Sequence, residues 1–198
     1  MLVYRIGIAG YMGAGKSEAC RILVEEGYSI VDGDRLAKKL MRENGSIRGQ
    51  LKREFGNDAV NEQGIDSRVL GSIVFVDGNQ LQRLNDIVHP VLLQWLREIL
   101  NGHAPDAPVA IDAALIPQWH IDEWFDRRIW VHASPEARLQ RVCGKRPDLP
   151  AAEIRQRMRM QEECLEVPSE NTWVFIENDS DVATLRRKLL GSIGLFRS

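Results

Sequence analysis

The amino-acid sequence predicts an α/β fold in which helices cover both faces of a five-stranded parallel sheet. Two observations carry this prediction. Short hydrophobic strands alternate with amphipathic helices along most of the chain, and a glycine-rich turn joins the first strand to the first helix. The 198 residues suffice for one core and a smaller inserted region, and 44% hydrophobic with 27% charged residues is typical of globular proteins. We therefore expect one domain, residues 1–198.

The first strand and helix enclose a phosphate-binding motif. A buried strand is predicted at Leu2–Ala9 and a helix at Glu18–Glu26, and the segment Gly10–Ser17 between them fits the pattern GxxxxGK[ST]. Its glycines let successive N–H groups point into one concavity, to which the helix N-terminus adds partial positive charge. We expect Lys16 to reach the β- and γ-phosphates of a nucleotide and the Ser17 hydroxyl to ligate Mg²⁺. The alternative is a glycine-rich turn that binds no ligand.

A second predicted strand, Tyr28–Val31, ends at a pair of carboxylates. Asp32 and Asp34 flank Gly33, and a helix is expected at Arg35–Arg42. At a strand end, two carboxylates can orient an acceptor hydroxyl, accept its proton, or ligate a metal ion through water. The alternative is an Asp-Gly turn in which Asp34 caps the following helix, and the two roles are compatible.

The middle of the chain is predicted to be a helical insertion. Apolar residues recur at helical intervals from about residue 47 to residue 100, and the exception is a strand predicted at Gly71–Val76. After a loop at 104–108, the remaining elements are predicted as follows: strands Val109–Asp112, Arg128–His132 and Trp173–Ile176, and helices Pro135–Cys143, with Ser134 as N-cap, and Val182–Leu190.

Asp112 ends a hydrophobic strand, which is the form of the element that holds the Mg²⁺ shell beside a phosphate loop. Ligands of parallel α/β sheets bind at the carboxyl ends of the strands. We therefore expect Asp112, Asp32 and Asp34 to share a crevice with the phosphate loop. The alternative for Asp112 is an aspartate that begins a turn.

Composition and charge narrow the classes of partner. A net charge of −2 gives no overall basic footprint, so nucleic acid is not expected as an obligatory partner. The three cysteines are widely spaced and lack CxxC pairing, which favours free thiols in a reducing compartment. No apolar run reaches membrane-spanning length and no leader pattern precedes the first strand, so we expect a cytoplasmic protein that does not bind membranes.

Positive charge is concentrated in one stretch of this slightly acidic chain. Arg138, Arg141, Lys145 and Arg146 precede a proline-containing loop, and Arg155, Arg157 and Arg159 follow it. A closing segment of this kind can bring cations onto a transferred phosphoryl group, for which we favour Arg141 and Arg146. The alternative is a solvated helix face neutralised by Glu153, Glu162 and Glu163.

In their order and spacing these motifs resemble the dephospho-CoA kinase family. Besides the phosphate loop, the resemblance rests on these segments: Val31–Asp34, Phe55-Gly56, Gly64–Leu70, Leu84-Asn85, His89-Pro90, Ser134–Glu136, Leu139–Arg141, Arg157 with Gln161, and Ile176–Asn178. The resemblance implies ATP-dependent phosphorylation of the ribose 3′-hydroxyl of dephospho-CoA, which gives coenzyme A and ADP. It also implies a three-layer P-loop kinase fold, acting as a monomer or small homo-oligomer, with a core (1–34, 101–140, 170–198), a helical CoA-binding insertion (35–100) and a lid (141–169).

Residue roles follow from the resemblance at the positions that match it. ATP and Mg²⁺ are the implied cofactors, and dephospho-CoA is the implied partner. The implied nucleotide-binding residues are Gly10, Tyr11, Met12, Gly13, Ala14, Gly15, Lys16, Ser17, Glu18 and Asn178. The implied catalytic residues are Lys16, Asp32, Asp34, Arg141 and Arg146, the acceptor-binding residues are Asp34, Arg68 and His89, and the Mg²⁺ ligands are Ser17 and, through water, Asp112.

The sequence departs from the family pattern on the acceptor and lid sides, and one extra residue lies between Arg141 and Arg146. Ala114–Gln118 stands where the family usually reads Pro-Leu-Leu-Phe-Glu, and Glu166–Pro168 stands near an expected Lys or Arg. A changed set of charged side chains alters which phosphate a site holds. Two alternatives therefore remain open: a P-loop kinase with a different small-molecule or nucleotide acceptor, and an inactive nucleotide-binding homologue.

Overall fold

The structure, a computed structural model, describes residues 4–74, 76–104 and 106–194. The described residues up to 32 and from 104 onward form one compact unit, and those between 33 and 103 form another. None of the helices in these ranges combines the length and the apolar character that a membrane span requires.

Seven strands and eight α-helices lie in the described residues. The strands are β1 (Arg5–Ala9), β2 (Ser29–Asp32), β3 (Val60–Asn61), β4 (Gly64–Ile65), β5 (Val109–Asp112), β6 (Arg127–His132) and β7 (Val174–Glu177). The helices are α1 (Lys16–Glu25), α2 (Gly33–Glu43), α3 (Gly45–Phe55), α4 (Ser67–Val74), α5 (Gly78–Gly102), α6 (Pro135–Lys145), α7 (Ala151–Cys164) and α8 (Val182–Ser192), and short 3-10 helices occur at Ile116–Trp119 and Asp122–Trp124.

The predicted five-stranded parallel sheet is confirmed. Its strand order is β2-β5-β1-β6-β7, and every neighbouring pair is parallel. β1 is therefore the central strand, and its Ile6 and Ile8 are fully buried. Strands of this kind are covered by helices on both faces, so they consist of nearly continuous hydrophobic runs rather than alternating ones.

The strand register places three predicted site elements at the same edge of the sheet. Asp112 aligns with Ile8 of β1 and with Asp32 of β2, so both carboxylates lie at the carboxyl ends of adjacent strands. The phosphate motif leaves the same end of β1. Asp34 comes two residues after β2, in the first turn of α2, and so belongs to the second unit.

The second unit is helical apart from a two-stranded β3–β4 ladder. Its core is built from fully or almost fully buried leucines of three helices: Leu40 of α2, Leu51 of α3, and Leu92 and Leu96 of α5. The helical character predicted for this region is confirmed. The ladder was not predicted because each strand contains only two residues, too few for an alternating pattern.

The strand predicted at Gly71–Val76 is wrong. Gly71–Val74 forms the end of α4, and Phe75 lies outside the described residues, as do Leu2 and Val3 of the first predicted strand. Asp66 caps this helix, because its Oδ1 accepts from the N–H groups of Arg68 (2.8 Å) and Val69 (3.1 Å). Capping and the burial of one helix face outweigh the strand preference of the valines and isoleucine.

The N-cap of α6 is the one that the sequence predicts. The Ser134 hydroxyl accepts from the Ala137 N–H (3.4 Å), while the Asp179 carboxylate accepts from the hydroxyl (3.1 Å) and the N–H (2.9 Å) of Ser134. These bonds fix the start of a helix that carries Arg138 and Arg141.

We expect Ser134→Ala to lower the free energy of unfolding by about 1 kcal/mol, because the helix loses its capping oxygen. Ser29→Ala is the matched control, since Ser29 is exposed at the start of β2. Urea unfolding of both variants, followed by circular dichroism, tests this expectation. Equal midpoints for the two variants would contradict the capping role.

Candidate active site

The phosphate motif forms a loop whose glycines have no room for a side chain. Gly10, Gly13 and Gly15 have φ values of 147°, 81° and 106°, which L-residues rarely adopt. A Cβ atom on Gly10 would lie 2.1 Å from the Val131 carbonyl oxygen, and one on Gly15 would lie 2.0 Å from Asn178 Nδ2. The sequence pattern therefore reflects both backbone conformation and close packing.

Polar side chains hold the carbonyl oxygens of this loop. Lys16 Nζ donates to the Gly10 carbonyl (3.1 Å), and Arg138 Nε donates to the Met12 carbonyl (3.0 Å). Asn178 Nδ2 donates to the Ala14 carbonyl (2.8 Å), and Arg141 Nη1 donates to the carbonyls of Gly13 and Ala14 (3.4 Å each). Asn178 and Arg138 are buried, so the hydrogen bonds that these two side chains donate form where water does not compete.

The bound carbonyls orient the amides on the other side of the loop. In a trans peptide the C=O and N–H point in opposite directions, so a donor on the Ala14 carbonyl turns the Gly15 N–H away from that donor. Within the described residues, the N–H groups of Gly13, Gly15, Lys16 and Ser17 donate to no protein acceptor. Unpaired amides at the start of a helix form a site for an anion.

A cleft of about 560 Å³ opens over these amides. Its lining includes four cationic side chains, Lys16, Arg141, Lys145 and Arg146, and one carboxylate, Glu18. Glu18 forms an ion pair with Arg21, and this hydrogen bond is the main reason that the pKa of Glu18 is lowered. The positive balance of the lining favours a polyanion.

The predicted arginines occupy two different positions around the cleft. Arg141 also donates to the Asn178 carbonyl (2.6 Å), so its guanidinium lies against the loop. Arg146 forms a two-point pair with Asp148 (2.9 and 2.8 Å) and is half exposed. This pair raises the pKa of Arg146 and lowers that of Asp148.

Carboxylates lie at the sheet edge beside the loop. Asp112 Oδ1 is buried, and the Cys20 thiol of α1 forms a side-chain hydrogen bond with the Asp112 carboxylate. Burial, followed by the Asp112 charge, raises the pKa of Cys20 far above its usual range, so the thiol stays protonated and donates. Sequence reasoning treated Cys20 only as a free thiol, because a contact between a helix and the end of β5 leaves no local pattern.

The remaining predicted residues lie in the second unit. Asp34 is exposed in the first turn of α2, and Arg68 is exposed in the first turn of α4. His89 is partly buried in α5, and burial lowers its pKa although Asp86 opposes the effect. Its imidazole is therefore neutral near neutral pH. Contact of these residues with a substrate stays a prediction.

Sequence reasoning missed the contacts of the loop with α6 and α7. Tyr11 packs its ring edge against Trp130 (5.2 Å between centroids) and donates to the Leu165 carbonyl (3.3 Å), and burial raises the pKa of Tyr11. Gln161 accepts from the Met12 N–H (2.6 Å). Arg138 and Arg141 lie three residues apart on one face of α6, and this spacing is the sequence signal that could have drawn attention to Arg138.

The comparisons with known proteins agree with this geometry. A family model described as CoaE, dephospho-CoA kinase, matches residues 4–184. The dephospho-CoA kinase of Streptomyces avermitilis is 33% identical over an alignment of 189 residues that covers 93% of this chain and 90% of that protein.

Two solved structures extend the similarity to the fold. A protein designated TT1252 from Thermus thermophilus superposes with a TM-score of 0.75 and 30% identity over the full length of both chains. The dephospho-CoA kinase of Campylobacter jejuni has a TM-score of 0.56 at 20% identity, covering 96% of this chain and 95% of that one, and this likeness concerns the fold alone.

We expect Gly15→Ala to weaken ATP binding by at least about tenfold, because a strained backbone and displacement of Asn178 would distort the loop. The affected surface is the amide cradle, which we define as the unpaired N–H groups of Gly13, Gly15, Lys16 and Ser17. Gly49→Ala is the control, since a Cβ there meets nothing within 4 Å in helix α3. Calorimetric titration with ATP measures both affinities. Wild-type affinity in Gly15→Ala would contradict the assigned cradle.

Proposed function

Because the chain belongs to the dephospho-CoA kinase family and phosphorylates dephospho-CoA to coenzyme A, we propose that ATP is its donor and the ribose 3′-hydroxyl its acceptor. The observation that carries the donor assignment is the set of unpaired loop amides under a cationic cleft. Such a cradle fits the β- and γ-phosphates of a nucleoside triphosphate.

The proposed reaction is a direct phosphoryl transfer. The bond between the γ-phosphorus and the oxygen that stays with ADP breaks, and a bond from the 3′-oxygen of the acceptor forms. Asp34 accepts the hydroxyl proton, and Asp32 supports the orientation of that hydroxyl. Lys16, with Arg141 and Arg146, stabilises the negative charge on the transferred group, because these cations line the cleft.

The residues at the sheet edge suit a hard metal ion. Ser17 presents an exposed hydroxyl, and Asp112 presents a carboxylate at the end of β5, so both supply the oxygen ligands that Mg²⁺ prefers. Among the described residues no group of three or more His, Cys, Asp or Glu could hold a metal ion. When Mg²⁺ is bound, substrate phosphates and water would complete its coordination, and the ion would neutralise phosphate charge.

The altered segment Ala114–Gln118 has a structural function of its own. Gln118 Nε2 donates to the Cys164 carbonyl (2.6 Å), so this side chain anchors the end of α7. Because this segment departs from the family pattern, a different acceptor is the second candidate, and a substrate panel decides between the two. The purified chain is incubated with Mg²⁺-ATP and with dephospho-CoA, nucleosides, nucleoside monophosphates or sugars. We expect dephospho-CoA to be turned over fastest, and much faster turnover of another acceptor would reject the proposal.

We expect Lys16→Ala to lower turnover by at least about 100-fold, because it removes the main cation from the transferred group. Arg187→Ala is the control, since it removes one positive charge from an exposed position of α8. A coupled assay of ADP release measures both variants. A rate near that of the wild type in Lys16→Ala would show that the reaction proceeds elsewhere.

We expect Asp34→Asn to lower kcat much more than it weakens ATP binding, because the proposed contact of Asp34 is with the acceptor hydroxyl. Steady-state kinetics combined with ATP titration separates the two effects. An equal loss of ATP affinity would instead assign Asp34 to the metal shell.

A further inference from the structure

Arg138 is a buried cation that lies outside the lining of the nucleotide cleft. It is 3% exposed, and it and Asn178 are the two buried polar or charged residues in the described ranges. Burial of a guanidinium is costly unless charge and hydrogen-bond partners compensate. The burial of Arg138 is therefore stable only if ion pairs and hydrogen bonds offset the lost hydration of its guanidinium.

The contacts of Arg138 join the phosphate loop to helix α7. Its Nε donates to the Met12 carbonyl (3.0 Å), and its Nη1 forms an ion pair with Glu162 (2.5 Å). The guanidinium carbon lies 4.8 Å from the centre of the Tyr11 ring. A planar, fork-shaped cation can satisfy these partners together, whereas a lysine ammonium cannot do so in the same geometry.

The bond to Met12 controls one of the open amides. The Met12 carbonyl and the Gly13 N–H belong to the same peptide plane, so Arg138 on the carbonyl directs the Gly13 N–H to the opposite side. Gln161 accepts from the Met12 N–H (2.6 Å) and thereby fixes the preceding peptide plane. Two consecutive planes of the loop are thus held by neighbouring helices.

The last turn of α7 is anchored to the same loop and to the segment after β5. Tyr11 donates to the Leu165 carbonyl (3.3 Å), and Gln118 donates to the Cys164 carbonyl (2.6 Å). Glu162 and Gln161 lie in this turn. The position of the turn is therefore coupled to the orientation of the loop.

We propose that Arg138, held by Glu162, is a positioning residue that directs the Gly13 amide toward the nucleotide phosphates. The proposal rests on the proposed function, since it assumes that this loop binds ATP. Loss of the pair frees the Met12–Gly13 peptide to rotate, and the amide cradle loses one preorganised donor. Loss of the pair should weaken binding of the ATP phosphates and leave binding of the acceptor unchanged.

Glu162→Ala tests the proposal on the exposed member of the pair. Because it leaves the buried guanidinium without its counter-charge, thermal melting followed by circular dichroism first checks that the variant is folded at the assay temperature. We expect it to weaken ATP binding by about tenfold and to raise the KM for ATP, with the KM for dephospho-CoA within about twofold of wild type. Glu162→Gln keeps an oxygen that can accept from Arg138, so we expect partial rescue. Glu163→Ala is the control, because Glu163 is the neighbouring exposed carboxylate of α7.

A double-mutant cycle completes the experiment. We expect Arg138→Met combined with Glu162→Ala to bind ATP as weakly as Arg138→Met alone, because both changes remove the same interaction. Equal ATP affinities for Glu162→Ala and Glu163→Ala, or parallel changes in both KM values, would overturn the positioning role alone. A wild-type chain that does not bind ATP would overturn the proposed function and this inference with it.

Discussion

The whole site depends on how the carbonyl oxygens of the phosphate loop are bound. Each carbonyl that accepts from Arg138, Arg141 or Asn178 turns the amide of the same peptide to the opposite side, so these side chains shape the surface that receives a ligand by holding the backbone. Glycines at 13 and 15 permit this arrangement because they accept left-handed φ values and leave room for those partners. A loop with the same glycines and without these donors would have fewer oriented amides.

Sequence reasoning predicted those parts of the molecule that depend on local chemistry. The phosphate motif, the five parallel strands and the Ser134 cap follow from turn glycines, hydrophobic runs and capping residues, and the structure confirms each of them as an element. Helix α4 was missed because its β-branched residues favour a strand, while its helical state depends on burial and on Asp66. The contact partners of Arg138, Gln161 and Cys20 could not be predicted, since each contact joins elements distant in sequence, and the spacing of Arg138 and Arg141 indicates only that they share a helix face.

Charge is distributed unevenly in this nearly neutral chain. Four cations line the cleft, whereas Glu18 is paired with Arg21 and Glu162 with Arg138. Acidic side chains therefore neutralise arginines around the loop and leave the ammonium of Lys16 beside the open amides. This arrangement allows a protein with a net charge of −2 to present a locally positive surface to a polyanion.

The central place of β1 has a consequence for how the protein responds to heat. The loop that follows this strand is continuous with α1, whose Ala19, Ile22 and Leu23 are completely buried in the core of the first unit. Segments of this kind open only when the surrounding unit opens, in contrast to surface loops that fray independently. Thermal inactivation of the phosphate loop should therefore coincide with cooperative unfolding of the sheet, and local unfolding of the loop alone should contribute little to the loss of activity.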